Sequence, residues 1–400
     1  MQLSPATPRR PLAVRIGTLA ALAALSSLPG AAGVLPEDEA DAMYHRYEGG
    51  GVTVQGPSVL IRKKIGDNFS ASYNYYVDMI SSASIDVLLS ASPYKETRTQ
   101  HSVSLDYQHG KTTYSVGYIH SREPDYTADT SIFSLSQDMF GDLTTVTLSY
   151  SRGWDRVYRD IKIDGAIMND PAFGQRVDHR SYGVGVTQVL TRNLILGLNF
   201  QALTDQGYLA NPYRKVVFLD PTVSNGYGLE DQVYPGTHTS TAGSADLKYY
   251  LRYRAALDGS YRYYTDTWGV VAHTVQLGYT QPWRHWIFDG TFRYYKQNAA
   301  NFYGDLFPRR DAQNFMARDR ELAAFSSYTV GVGASYEFHI PRAPWIQKNT
   351  LNLHYDRLMI DYSDFHAIYN NTVIGPGAQD ALPLYRLDAN IIQLFYSLYF

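Results

Sequence analysis

Between Phe69 and Met79 the chain alternates with a period of two. Phe69, Ala71, Tyr73, Tyr75, Val77 and Met79 form one row, and Ser70, Ser72, Asn74, Tyr76 and Asp78 form the other. Successive side chains of a strand point to opposite faces, so this pattern specifies a β-strand with one apolar and one largely polar face. No helical period reproduces it. The alternation returns at Val103–Tyr107, Tyr114–Tyr118, Val146–Tyr150, Leu194–Phe200, Trp286–Tyr294 and Tyr328–Phe338. A chain built this way must cover its apolar rows with a second sheet or with hydrocarbon.

The connections decide between these. Short links at Lys64–Asp67, His109–Lys111, Met139–Asp142, Leu190–Asn193, Arg252–Arg254 and Trp283–His285, and a longer one at Pro341–Lys348, alternate with larger segments near 81–96, 154–178, 205–240, 298–323 and 362–385. Short turns at one end and long loops at the other are the asymmetry of outer-membrane barrels. The links near 123–127 and 265–270 fall on the long side yet are short. The 35 tyrosines suit the two aromatic girdles of such a barrel. No forty-residue repeat marks a propeller. Beyond the N-terminal segment no apolar run approaches 18 residues and mean hydropathy is −0.30, which excludes a helical membrane protein. The expected fold is therefore all-β: a transmembrane antiparallel up-and-down β-barrel. Fifteen strands are clear, and Ala42–Glu48 supplies a sixteenth, with fourteen as the alternative count, because single-chain bacterial barrels favour even numbers.

Arg9, Arg10 and Arg15 precede the apolar stretch Ile16–Leu28, and small residues follow at Gly30-Ala31-Ala32. This reads as a cleaved signal peptide over residues 1–32. An N-terminal segment 33–50, containing the first strand, then leads to the barrel at 51–400. Loss of the three arginines leaves 32 basic against 38 acidic residues, a net charge of −6, which argues against nucleic-acid binding. The absence of cysteine removes disulfide, thiolate-metal and cysteine-nucleophile chemistry. The last strand ends Ile392, Leu394, Tyr396, Leu398, Phe400 on one face. An alternating aromatic strand with a terminal phenylalanine matches a membrane-insertion signal, with Phe400 as its key residue. The expected location is the outer membrane of a Gram-negative bacterium, and the expected partners are its lipid, its lipopolysaccharide and the barrel-insertion machinery. No interface pattern specifies an oligomeric state. No long plug segment precedes the barrel, which speaks against a TonB-type transporter.

The polar rows carry the charges Asp78, Asp106, Asp246, Lys248, Arg252, Asp258, Arg262, Asp289, Arg293, Glu337 and Asp356. In a barrel they line the lumen. Opposite signs on neighbouring strands, as at Asp258, Arg262, Asp289 and Arg293, suit either a solute path or a network that stiffens the wall. Two pairs, His101-Ser102 and Asp178-His179, have residue types that catalysis uses; neither has a third partner at useful spacing, and no catalytic residue is expected. Asp160–Gly165 with Asn169 and Asp170 offers oxygen ligands without the spacing of an EF-hand and reads as an acidic solvated loop, so no metal or cofactor is expected. The expected function is a pore or transport channel for small polar solutes. The alternatives are a structural or adhesion barrel with a plugged lumen, and a rim-located hydrolase.

Three stretches carry a family resemblance: Gly51–Leu60 (GVTVQGPSVL), Asn74–Ser84 (NYYVDMISSAS) and Ser136–Val146 (SQDMFGDLTTV). Together they resemble the bacterial family known as domain of unknown function 3570. That resemblance implies an outer-membrane barrel and brings no site residues with it. Within these stretches Gly56-Pro57 interrupts a strand, which predicts a bulge or irregular pairing.

Overall fold

The computed structural model describes residues 34–82, 89, 94–163, 166–343, 345–368, 372–374 and 382–400. Segment 1–32, expected to be a signal peptide, and Asp164-Gly165 of the expected acidic loop lie outside the described residues. Among the described residues sixteen strands close into one antiparallel barrel. In chain order they begin with β1 (Glu39–Gly49), β2 (Val52–Ile65), β3 (Phe69–Ser82), β4 (Tyr94–His109), β5 (Thr112–Arg122) and β6 (Tyr126–Met139). Next come β7 (Thr144–Ile163), β8 (Ala166–Thr191) and β9 (Leu194–Gly207). A separate two-stranded ribbon, β10 (Lys215–Leu219) and β11 (Tyr227–Asp231), stands apart from the wall. The wall resumes with β12 (Thr237–Tyr250), β13 (Ala256–Asp266), β14 (Val271–Trp283), β15 (Trp286–Gln297), β16 (Phe325–Phe338), β17 (Lys348–His366) and β18 (Leu384–Tyr399). β12 pairs directly with β9, and β1 closes the ring on β18, from Glu39 opposite Tyr399 to Gly49 opposite Ala389. The sixteenth strand predicted from Ala42–Glu48 is thus β1, the strand that seals the seam.

The alternation read from the sequence sets the two faces. Outward side chains such as Val103, Val116, Leu198, Leu277, Val332 and Leu353 are 48–57% exposed. Water-soluble monomers rarely expose contiguous apolar patches beyond a few hundred Å². A band that runs around the whole wall is built to contact hydrocarbon. Tyrosines such as Tyr107, Tyr114, Tyr150 and Tyr182 pack against one another on this outer face. At one end the strands join through tight turns; His109-Gly110-Lys111 needs a left-handed residue, and Gly110 supplies it at φ 58°. Gly56 marks the predicted irregularity. It lies so close to β3 that a Cβ there would stand 1.8 Å from the Val77 carbonyl oxygen, and the β2–β3 pairing skips both Gly56 and Pro57.

The segment 154–178, expected as a long loop, is mostly strand. β7 and β8 continue as a paired hairpin from Thr144/Gln188 to Ile163/Ala166, with one irregularity between Tyr158 and Asp160. Its outward face carries Arg152, Asp178 and Arg180, with Arg152 bonded to Asp178 at 2.7 Å. The alternation that betrays a lipid-facing strand ends there, while the backbone pairing does not.

Candidate functional site

The lumen is stratified. Near the turn end, Lys248 on β12 pairs with Asp258 on β13 at 3.2 Å. His354 on β17 stands between Asp289 on β15 at 3.4 Å and Asp356 at 3.2 Å. Asp246 accepts hydrogen bonds from Asn199 and Ser244, both at 3.0 Å, and Asp106 accepts one from Ser115 at 2.5 Å. Glu337 faces inward on β16, opposite Thr350. Asp78 lies deep on β3, held by His45 at 2.8 Å, with the Arg98 guanidinium at 3.5 Å. Arg252 departs from the expectation: it occupies the exposed turn between β12 and β13, because β12 ends two residues earlier.

Arg262 on β13 and Arg293 on β15 face the lumen half-way up the wall. They do not pair with Asp258 and Asp289 as the sequence suggested. Each aspartate sits four residues away along its own strand, about 13 Å at ~3.4 Å per residue, and has found a nearer base. Among the described residues neither arginine has a carboxylate within ion-pair distance. Both are exposed, as are the inward Gln276 between them and Asn199. Side chains that point inward yet remain open to solvent show that this level is not filled by packing.

At the loop end a row that sequence reasoning missed crosses five neighbouring strands. Asp155 (β7) meets His179 (β8) at 2.9 Å, and His179 meets Asp205 (β9) at 2.6 Å. Asp205 meets His238 (β12) at 3.0 Å, and His238 meets Asp266 (β13) at 3.0 Å. Each imidazole offers both nitrogens to carboxylates, which only accept, so each is placed to donate twice as imidazolium. Tyr126 bonds to Asp155, and the Tyr264 hydroxyl donates to Asp266 at 2.9 Å, closing the two ends. The only sequence signal is an Asp or His on the inward row near each strand's loop end. Without the register these read as unrelated residues. His179 is therefore a member of this row. His101 faces outward against Tyr73 and Tyr75, while Ser102 points to the other side of the wall, so that pair never meets.

Above the row the loops form a cap. Trp268 stacks over His238 with centroids 4.2 Å apart and meets Tyr234 and Phe302 edge-on, 5.4 and 5.2 Å away. On one side Trp268, Tyr234 and Leu209 pack on Val157 and Val177, inward residues of β7 and β8. On the other, Tyr303 joins the cap to Tyr362, Phe365, Leu387 and Ala389 of β17 and β18. β8 and β18 stand eight strands apart around the ring, so this apolar bridge crosses the mouth. Polar pins reinforce it. Arg214 holds Asp319 and Glu321, each at 2.7 Å, and Arg318 bonds to Asp305 at 2.8 Å and to the His366 carbonyl at 2.9 Å. Gln297 at the top of β15 donates to the carbonyls of Glu321 and Ala323.

A family model described as "Protein of unknown function (DUF3570)" matches residues 86–356. The chain belongs to this family. The DUF3570 barrel also resembles solved outer-membrane structures. A Pseudomonas aeruginosa FadL homologue covers 94% of this chain and 93% of its own at 12% identity and a TM-score of 0.41. A bacterial polysaccharide outer membrane secretin covers 91% and 99% at 8% identity and 0.48. The CymD monoaromatic hydrocarbon channel covers 92% and 90% at 8% identity and 0.41. A search of curated proteins finds no match for the DUF3570 chain. Likenesses this distant carry no cargo or mechanism across to it.

Proposed function

We propose that this chain is an outer-membrane channel for small polar solutes, with a water-filled lumen covered on the loop side by a packed cap. One observation carries the reading: at mid-height Arg262, Gln276, Arg293 and Asn199 point inward and remain exposed. A structural barrel would pack that level. Two arginines without a carboxylate partner among the described residues favour small anions over cations at this level. The cap supplies a gate, because it is held by loop contacts while the wall is held by strand pairing. The outer apolar band and the terminal aromatic strand support insertion from the periplasm into the outer membrane.

The cap is also the one observation that favours a closed, structural barrel. Single-channel recording on refolded protein in planar bilayers separates the two. The channel reading expects discrete openings with a higher permeability for chloride than for potassium. Silence at every voltage, in both the native chain and a variant with the cap loosened, would overturn it.

A further inference from the structure

At the rim next to β4, three acidic side chains converge away from the lumen network. Glu96 comes from the loop end of β4, and Glu123 and Asp125 from the tight link between β5 and β6. One carboxylate oxygen from each lies within 4.8 Å of the other two. Calcium binds oxygens at about 2.4 Å, so two ligands on opposite sides of it are about 4.8 Å apart. The spacing fits that ion.

Clustered acids alone would be unremarkable on a solvated loop. Two of these are not solvated. Asp125 is completely buried and Glu96 is 6% exposed. Neither carboxylate oxygen of Asp125 accepts a hydrogen bond of ordinary geometry. The Tyr213 hydroxyl, which takes the Asp160 N–H at 2.6 Å and keeps its own proton to offer, stands close enough to favour the charged form of Asp125 without replacing a counter-ion. An isolated buried carboxylate is costly unless a cation or a proton neutralises it. Around Glu123 and Asp125 negative charge outweighs positive. Arg98, the cation facing Glu123, also faces Asp78, while Asp160 adds a further negative charge beside Asp125.

We propose that Glu96, Glu123 and Asp125 form a calcium site at the barrel rim, completed by water. The chemistry selects a hard divalent cation with oxygen ligands, at the modest affinity of extracellular modules, with a Kd of about 10⁻⁴ to 10⁻³ M. Because Asp125 adjoins Tyr213, which lies in the segment leading to the β10–β11 ribbon, the ion would tie that segment to the wall. The inference is independent of whether the lumen conducts.

The test uses full-length protein refolded in detergent, stripped with EDTA and titrated with terbium, with luminescence sensitised by the neighbouring tyrosines and calcium as competitor. The expected result is saturable binding at about one ion per chain, with calcium displacing terbium more readily than magnesium does. Asp125→Asn and Glu123→Gln should each weaken binding by about tenfold or more, whereas Asp311→Asn, at an exposed loop acid, should not. Both site variants also relieve repulsion, so in EDTA they should melt at or above the temperature of the native chain, which excludes misfolding as the cause of lost binding. Failure of the native chain to bind saturably, or equal binding by both site variants, would overturn the proposal.

Discussion

Replacing Phe365 with alanine should unlatch the cap. Phe365 lies within the register irregularity between Asp361 and His366, which turns its ring off the outward row. The ring is fully buried among Tyr362, Tyr385, Leu387 and Ala389, with the Arg318 guanidinium 4.5 Å from its centroid. Truncating a buried phenylalanine costs about 4 kcal/mol, and loss of the cation–π contact adds roughly 1 kcal/mol. The wall is held by strand hydrogen bonds that the substitution leaves in place, so the loss falls on the cap. Even 4 kcal/mol raises the open-to-closed ratio about a thousandfold. Planar-bilayer recording should show a large rise in open probability, and limited proteolysis should cut the variant between residues 208 and 236 or between 298 and 324 far faster than the native chain. The refuting result is unchanged openings together with unchanged cleavage in a folded variant. The cap would then be held elsewhere, and the bridge to β17 and β18 would be incidental.

Other consequences are equally open to measurement. At the dielectric of water each lumen arginine favours an anion ~6 Å away by about 0.7 kcal/mol and disfavours a cation by as much, so Arg262→Gln with Arg293→Gln should lower the anion-to-cation permeability ratio by up to about a hundredfold, read from reversal potentials in a salt gradient. His238→Ala leaves Asp205 and Asp266 facing each other without their bridge; a cost of about 3 kcal/mol should appear as a lower temperature of heat modification on gels. Glu123 and Asp125 have folded-state values raised to about 7, so without divalent cations the folded rim is favoured below about pH 4 and that advantage is lost as pH rises through 7. Melting temperatures in EDTA should therefore fall between pH 5 and 8, and Asp125→Asn should flatten the slope. Deleting Phe400 should abolish assembly in cells. In vitro refolding should lose only the ring's modest contacts with Lys63 and Trp345 and the Phe400 N–H bond to the Asp38 carbonyl, since the strand-pairing residues stay in place.

The wall was legible because lipid and water impose opposite demands on alternate residues. That pressure writes the pattern at Phe69–Met79, whereas at Ala42–Glu48, with Arg46 and Glu48 on the outward row, it was the preference for an even strand number that pointed to the strand that closes the ring. It also placed ten of the eleven charges on wall strands. Arg252 failed because a turn continues the polar composition of the strand before it. The β7–β8 extension was misread for the converse reason: beyond the hydrocarbon both faces turn polar, as at Arg152, Asp178 and Arg180, and composition stops reporting a strand that hydrogen bonding continues. The row from Asp155 to Asp266 needs the register of five strands at once, and the bridge from Trp268 to Tyr303 joins loops distant in sequence. Neither leaves a periodic trace.

The unequal length of the strands has a consequence of its own. At ~3.4 Å per residue the 20 residues of β7 run about 68 Å, against about 48 Å for the 14 of β3. About 20 Å of doubled backbone therefore rises like a blade above the neighbouring rim. Its main chain is spoken for along most of that height, so a protease finds few extended stretches there, whereas an antibody or a phage tail fibre finds a stiff, charged ridge. A peptide epitope grafted onto the hairpin beyond the Ile163–Ala166 pair would be displayed farther from the bilayer than one placed at the short link between β5 and β6.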